Sequence, residues 1–497
     1  MLGAGPVTLD VFAALVAGDV PLDVQGDVRA RLADARRVVD AAAAGAAPVY
    51  GLNTGLGANL GHRIAPADIA AFQHQLIAGR AVATGAPLPE RIGRAVLLAR
   101  ILSACAGHSG MSLPVFDHLC AVFGAGLSPA VPRYGSIGAG DLTQNAVWAL
   151  ALLGQGQIWV DGVLTEAGAA LAKAGLAVPE LQPKDAMALI NHGGLSAALA
   201  ADALFQARLN LRMSRAATVM SYAGYGANRD IFLPQINALR RAPGQAEVAA
   251  WFTAQMPEAE TTPRRIQDAL SFRVVAPVLG AAQEACARAE AIWQDEANGT
   301  SDSPVVLGAQ AMVSTPNFHA PALALALDHV ALAMAMVANG AVQRIQRMMA
   351  PDLTGLPKYL SPVGGASAGL VPVQKTAAAL LGDVRRHAMP GALDPAPVSD
   401  AVEDMAAMTP AAALKLGEQG VPFALLCGAE AVVAAQAMDL RGALPAGLAG
   451  ALHAALRAEV AMVQEDRPLG GDVDVAARVL ARVCAQETGE NVKMGAT

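Results

Sequence analysis

Aromatic residues are scarce in this chain: Phe, Trp and Tyr together supply 4% of its 497 residues. Charge is thin as well, at 15%, against 54% hydrophobic residues. An all-β fold draws more heavily on aromatic and β-branched side chains. The apolar content here is mostly Ala, Leu and Val, and Ala and Leu lead the helix-propensity ranking. A basic excess is missing: 35 Lys and Arg stand against 42 Asp and Glu, for a net charge of −7. That speaks against a nucleic-acid binder. Cys105, Cys120, Cys286, Cys427 and Cys484 form no CxxC and leave one over, which fits a reducing cytoplasm better than a disulfide framework. The sequence has no P-loop lysine, no strand–GxGxxG–helix unit, no HExxH and no Cys/His cluster at metal-ligand spacing. No nucleotide, dinucleotide or metal site is therefore implied.

A mean hydropathy of +0.39 raises the question of a membrane. The longest uncharged stretch, Ser303 to Leu327, is broken by Pro304, Gln310, Pro316, Asn317 and His319. The most lipid-like run, His329 to Gln343, is too short to span comfortably. The N-terminus shows no basic region and Asp10 interrupts its apolar residues, so no signal peptide is expected. So much apolar surface implies helices buried on all sides, in part across subunit interfaces. The expectation is a soluble, cytoplasmic, obligate oligomer that acts on a small molecule, with neither nucleic acid nor membrane as partner.

The chain is expected to divide into a loop-rich helical part, residues 1–194, and a long-helix bundle, residues 195–497. The first part alternates short helices with Gly-rich loops at Tyr50–Gly57, Gly135–Asp141 and Asn191–Gly194. In the second, helices are read at Leu195–Tyr225, Ser271–Gly299, Ala320–Met349 and Val371–His387. Later ones are read at Ala411–Gln419, Cys427–Ala443 and Leu448–Gln464. The fold class is mainly α, a bundle with functional loops gathered at its ends.

Each loop alone is an ordinary Gly-rich connection. Together they are far more specific. Val49-Tyr50-Gly-Leu-Asn-Thr-Gly-Leu-Gly57 resembles the tyrosine loop of the aromatic amino acid ammonia-lyases, the histidine and phenylalanine ammonia-lyase superfamily. Phe72–Arg80 is similar to the family's next segment, Gly135–Leu142 to its cofactor loop and Pro183–Asn191 to its asparagine segment. Gln267–Arg273, Asn317–His319, Gln374–Ala379 and Val402–Met405 come next in family order, so the resemblance runs along nearly the whole chain. It implies a long-helix bundle of the ammonia-lyase and fumarase/aspartase-like type. It also implies a homotetramer whose active sites combine residues from three subunits.

The departures from the family matter most. An Ala-Ser-Gly tripeptide in the family cyclises and dehydrates to an electrophilic methylidene-imidazolone. Here the loop reads Gly138-Ala139-Gly140-Asp141, without the serine. Ser136, between Gly135 and Ile137, is not placed to substitute, so no cofactor is expected. Arg80 stands where the histidine lyases carry His, Leu270 where a tyrosine is expected, and Lys375 where an uncharged residue is usual. An α-amino group leaves poorly and needs the electrophile, whereas trimethylamine leaves a betaine as a neutral molecule. The branch of the family that resembles this pattern is ergothionase, which eliminates trimethylamine from ergothioneine, a 2-thiohistidine betaine, to give thiourocanate.

The resemblance also suggests roles. Tyr50 is the candidate base for the β-proton, helped by cations such as Arg80 or Arg273; alone it would read as a tyrosine packed under a loop. Arg273 is the candidate carboxylate clamp, its planar fork matching two oxygens, with Asn191 and Gln267 completing the polar pocket. Phe318 would lie against the substrate ring or its trimethylammonium, or simply pack in the core. Lys375 and Glu403 would act as a buried pair on the thio-imidazole, or else form a structural salt bridge. Arg80 would bind the carboxylate or pair with Glu403, and Asp141 would cap the helix after it. Two other readings stay open, an amino acid ammonia-lyase or aminomutase and a non-catalytic homologue.

Overall fold

The structure, a computed structural model, describes residues 2–55, 61–65, 68–256, 265–308, 311–393, 397–442 and 446–486. Leu56 and Gly57 of the tyrosine loop, Gln310 and Ala443 lie outside these. The fold is mainly α. Two compact units are present, each assembled from three stretches of sequence: residues 1–202, 290–327 and 390–414 in the first, 203–289, 328–389 and 415–497 in the second. A single division at 194/195 does not describe this interleaving, because the boundaries at 202/203, 289/290, 327/328 and 414/415 fall inside long helices.

The first unit carries the shorter helices. Glu90–Ala104 is buried over nearly its whole length and still includes a charged residue, Arg100. Small antiparallel strands tie the loops: Thr84–Pro87 with Pro132–Tyr134, Ser128–Pro129 with Gln157–Val160 and Val163–Glu166, and Val305–Leu307 with Ala311–Val313. Under the tyrosine loop, Ala35, Val38, Val39, Leu52 and Val306 form one apolar cluster.

The second unit holds most of the long helices. Six of the chain's few aromatic rings meet in it, with Tyr225 stacked on Phe272 at 4.1 Å, Phe232 on Phe252 at 4.7 Å, Tyr222 beside three of these and Trp251 edge-on to Phe252 at 5.0 Å. Helices so uniformly apolar need polar latches to fix their register. Arg344 grips Glu430 through Nε at 2.6 Å and Nη2 at 3.0 Å, and Ser221 Oγ donates to the same carboxylate at 2.7 Å. Gln419 Nε2 donates to the carbonyls of Ala331 and Val384, both at 2.9 Å. Lys415 pairs with Asp328.

Several expected boundaries change. Ala411–Gln419 and the residues from Cys427 to Arg441 belong to one helix, Thr409–Arg441, with Pro422 inside it. A proline in a helix interior costs roughly 3 kcal/mol, which the buried flanking residues Leu416, Phe423 and Leu426 offset. Leu448–Gln464 ends early, at Arg457. Ser271–Gly299 splits into Leu270–Arg273 and Val275–Asn298. The run His329–Gln343 belongs to a helix, Pro321–Met348, that is long and apolar enough to cross a membrane, as is Thr409–Arg441. Asp328 and Arg344, which bound that run within Pro321–Met348, are paired with Lys415 and Glu430 of Thr409–Arg441. The apolar window of Thr409–Arg441 is 83% buried inside the protein, as a core helix is. No disulfide joins any of the five cysteines.

Removing one partner of a buried, hydrogen-bonded ion pair typically costs about 3–5 kcal/mol. Glu430→Ala should lower stability to chemical denaturation by that order. A loss within error of zero would mean that the pair does not latch these helices.

Candidate active site

The tyrosine loop is held from below. Leu52 is fully buried in the apolar cluster, and Asn53 ties the chain on either side of Tyr50. Its Oδ1 accepts the Val49 N–H at 2.8 Å and its Nδ2 donates to the Ala47 carbonyl at 2.9 Å. Tyr50 is half-buried on this turn. Arg80, just past the Ile69–Ala78 helix, lies within Coulombic reach of both the Tyr50 phenol and the Glu403 carboxylate. Partial burial lowers its pKa, and those two groups oppose the shift. Glu403 is half-buried, accepts from Ser399 Oγ at 3.1 Å and pairs its backbone with Val398. The first unit thus brings Tyr50, Arg80 and Glu403 into one electrostatic neighbourhood.

The loop at Gly135–Asp141 is the second component. Gly138 and Gly140 have φ of +77° and +80°, a region that glycine enters at no steric cost. A Cβ on Gly138 would lie 2.9 Å from the backbone nitrogens of Met408 and Thr409. On Gly140 it would lie 2.1 Å from Asn191 Oδ1, with the Phe318 Cβ at 3.7 Å. Gly140 therefore sits directly against Asn191, with Phe318 alongside. Asn191 is buried and donates from Nδ2 to the Ser303 carbonyl at 2.8 Å. Gln73 Oε1 accepts the Ala186 N–H at 3.1 Å, which ties the helix before Arg80 to the helix before Asn191.

Ser136 and Asp141 are committed to each other. Ser136 Oγ donates to Asp141 Oδ1 at 2.5 Å and accepts the Gly138 N–H at 2.9 Å. Asp141 also accepts the Ser196 N–H at 2.8 Å and the Ser196 hydroxyl at 3.2 Å. It does not cap the helix after it. Its left-handed backbone turns the side chain away from Leu142–Leu152, and it caps the Gly194–Tyr225 helix instead. Burial raises its pKa against those hydrogen bonds. The loop as it stands supplies no serine between Ala139 and Gly140, and the Ser136 hydroxyl is engaged with Asp141. These residues do not fit a methylidene-imidazolone.

The other expected residues belong to the second unit. Arg273 Nη1 donates to Gln267 Oε1 at 2.9 Å, and both side chains are exposed. Lys375 is exposed on the Val371–Arg386 helix. That helix turns Val373 and Ala377 inward, which leaves Lys375 on its outer side in the single chain.

Sequence reading missed the buried groups behind these loops. Arg100 and Asp302 form a bidentate pair with both bonds at 2.9 Å and almost no solvent exposure. Lys184 donates to the Ser109 carbonyl, and burial lowers its pKa to about 8. His192 Nε2 faces the Leu189 carbonyl at 3.0 Å while Nδ1 accepts the Gly194 N–H at 3.0 Å. That network requires the neutral tautomer protonated at Nε2. The available cue was a single arginine, Arg100, inside the otherwise uncharged run Ala95–Ala104.

A family model described as aromatic amino acid lyase matches residues 7–461. A histidine ammonia-lyase of Sorangium cellulosum is 36% identical, covering 97% of this chain and 97% of its own length. The solved structure of an ergothioneine-degrading enzyme, ergothionase of Treponema denticola, in complex with desmethyl-ergothioneine sulfonic acid, is similar with a TM-score of 0.93 and 25% identity. The match covers 97% of this chain and 98% of that one. Histidine ammonia-lyase of Trypanosoma cruzi is similar with a TM-score of 0.89 and 28% identity, covering 99% and 96%.

Burial, with Arg100 adding to it, lowers the His192 pKa to about 3. The unfolded chain protonates this ring below about pH 6.5, whereas the folded protein resists until about pH 3. Its contribution to stability is thus full above pH 6.5 and is lost as pH falls toward 3. His192→Gln should flatten the decline of apparent Tm between pH 6.5 and 4.5. An unchanged slope would show that His192 is not held neutral.

Proposed function

Because this chain belongs to the aromatic amino acid lyase family, whose members are carbon–nitrogen lyases, we propose that it eliminates trimethylamine from ergothioneine to give thiourocanate, without a methylidene-imidazolone. The observation that carries this reading is the loop Gly138-Ala139-Gly140-Asp141. It lacks the serine whose hydroxyl would be lost, and Ser136 is bonded to Asp141. Similarity to the ergothionase of Treponema denticola supports the same reading.

In the proposed reaction Tyr50, as phenolate, takes the β-proton. The electron pair of that C–H bond forms the Cα–Cβ double bond, and the C–N bond breaks to release neutral trimethylamine. Arg80 favours the phenolate by its charge. Arg273 binds the substrate carboxylate through its fork, with Gln267 beside it and Asn191 on the other side of the pocket. Lys375 and Glu403 hydrogen-bond the thio-imidazole and draw electron density from it as the β-proton leaves. Phe318 lies against the ring or the trimethylammonium.

We further propose a homotetramer in which neighbouring copies supply Gln267, Arg273 and Lys375 to a site built on Tyr50, Arg80 and Glu403. Their exposure on the second unit supports this, as does the apolar surface carried by Ile266 and Leu270 next to them. Leu325, Leu332 and Met336 form a further exposed apolar stripe along the Pro321–Met348 helix. Spaced at seven and four residues, they share one helix face.

A second reading, loss of ammonia from histidine, is favoured by the name of the 36% identical relative. The two are separated by incubating the purified protein with ergothioneine, histidine, phenylalanine and tyrosine while monitoring the near-ultraviolet spectrum and released amine. A ring-conjugated acrylate with equimolar trimethylamine from ergothioneine alone is the expected result. Ammonia and an acrylate from histidine would overturn the proposal in favour of the second reading. Tyr50→Phe should reduce the expected activity by about 100-fold or more, and an active variant would remove Tyr50 from the role of base.

A further inference from the structure

The Arg100–Asp302 pair takes no part in the proposed reaction, yet the segment it holds touches the candidate site at several points. The Asp302 carbonyl accepts Thr315 Oγ1 at 2.7 Å, and Ser303 Oγ accepts the Thr315 N–H at 3.1 Å. Thr315 Oγ1 in turn accepts the Asn317 N–H at 3.3 Å, one residue before Phe318. On the other side, the Ser303 carbonyl accepts Asn191 Nδ2 at 2.8 Å and Ser301 Oγ accepts the Gly193 N–H at 3.1 Å. Three residues further on, Val306 packs in the cluster that buries Leu52, beneath Tyr50.

One short segment, residues 301–306, therefore underlies Asn191, the Phe318 turn and the Tyr50 loop. Its own place is fixed by charge. Lys184 adds a second cation within Coulombic reach of Asp302. Apolar residues of similar volume would hold two elements together as firmly as a buried ion pair does. A bidentate guanidinium–carboxylate contact adds a fixed orientation, which matters where a carbonyl must point at one particular amide.

We infer that Arg100, Asp302 and Thr315 form a positioning unit that sets the 301–306 segment, and through it Asn191 and Phe318 against Gly140. The inference rests on the reading of this region as the site of elimination. None of the three residues touches substrate in that reading; each acts through a neighbour.

The test uses the full-length protein and the variants Thr315→Val, Thr315→Ser and Asp302→Asn. Thr315→Val keeps the shape and loses the hydroxyl, whereas Thr315→Ser keeps the hydroxyl. In Thr315→Val we expect amide hydrogen exchange to accelerate at least tenfold in residues 189–195 and 315–319. Exchange in the Thr409–Arg441 helix should stay unchanged, and Thr315→Ser should exchange like the wild type. Asp302→Asn should accelerate the same two segments; if it fails to fold, the threonine variants decide. With ergothioneine, kcat of Thr315→Val should fall at least tenfold with KM altered less than threefold, and Thr315→Ser should restore it. Wild-type exchange in both segments of Thr315→Val would overturn the inference. So would accelerated exchange with unchanged kcat. A wild-type protein that releases no trimethylamine would contradict the proposed function, while the exchange pattern would still decide the positioning claim.

Discussion

A carboxylate buried away from water must be paired or it will not stay ionised, and Asp302 is the carboxylate on which the first unit turns. Arg100 and Lys184 hold its pKa below the usual carboxylate value in spite of complete burial. The cost of that burial is offset by two parallel hydrogen bonds of 2.9 Å. The consequence is spatial. The residues just before the strand Val305–Leu307 are held so that the Asp302 and Ser303 carbonyls orient the turn before Phe318 and Asn191, respectively. The loops at Gly135–Asp141 and Asn191–Gly194 are Gly-rich, and the charge network behind them fixes what their glycines leave free.

The loop around Gly140 shows the same division between backbone and chemistry. Its left-handed glycines let the main chain pass within contact of Asn191, where any side chain would collide. A backbone that close to Asn191 is the arrangement an electrophile built from the chain itself would need. Yet the residues that remain cannot make one: alanine is joined directly to glycine, and the nearest serine is bonded to Asp141. We propose that the burden moves to the substrate. A quaternary nitrogen leaves as a neutral amine, and a polarised thio-imidazole acidifies the β-proton, so the reaction needs a base and a clamp rather than an electrophile.

Much of this is legible in the sequence because the governing features are local. Ala- and Leu-rich periodicity locates the long helices at Gly194–Tyr225 and Pro321–Met348 to within a residue or two. Gly-rich loops in family order mark the neighbourhood of Tyr50, Asn191 and Phe318. Where sequence reading fails, the cause is tertiary. Pro422 suggests a break that buried packing overrides. Asp141 reads as a cap for the next helix, but a positive φ sends its carboxylate to Ser196. Arg100 and Asp302, some two hundred residues apart, carry no local pattern at all.

The most direct measurement is the intact mass of the purified native protein by mass spectrometry under denaturing conditions. A mass equal to that of the unmodified sequence is the result we expect, since Ala139 and Gly140 have no intervening serine to dehydrate. A mass lower by the waters lost on cyclisation and dehydration, localised to a peptide containing residues 136–141, would contradict it. The chain would then make its own electrophile, and the case for a substrate that carries its own leaving group would fall.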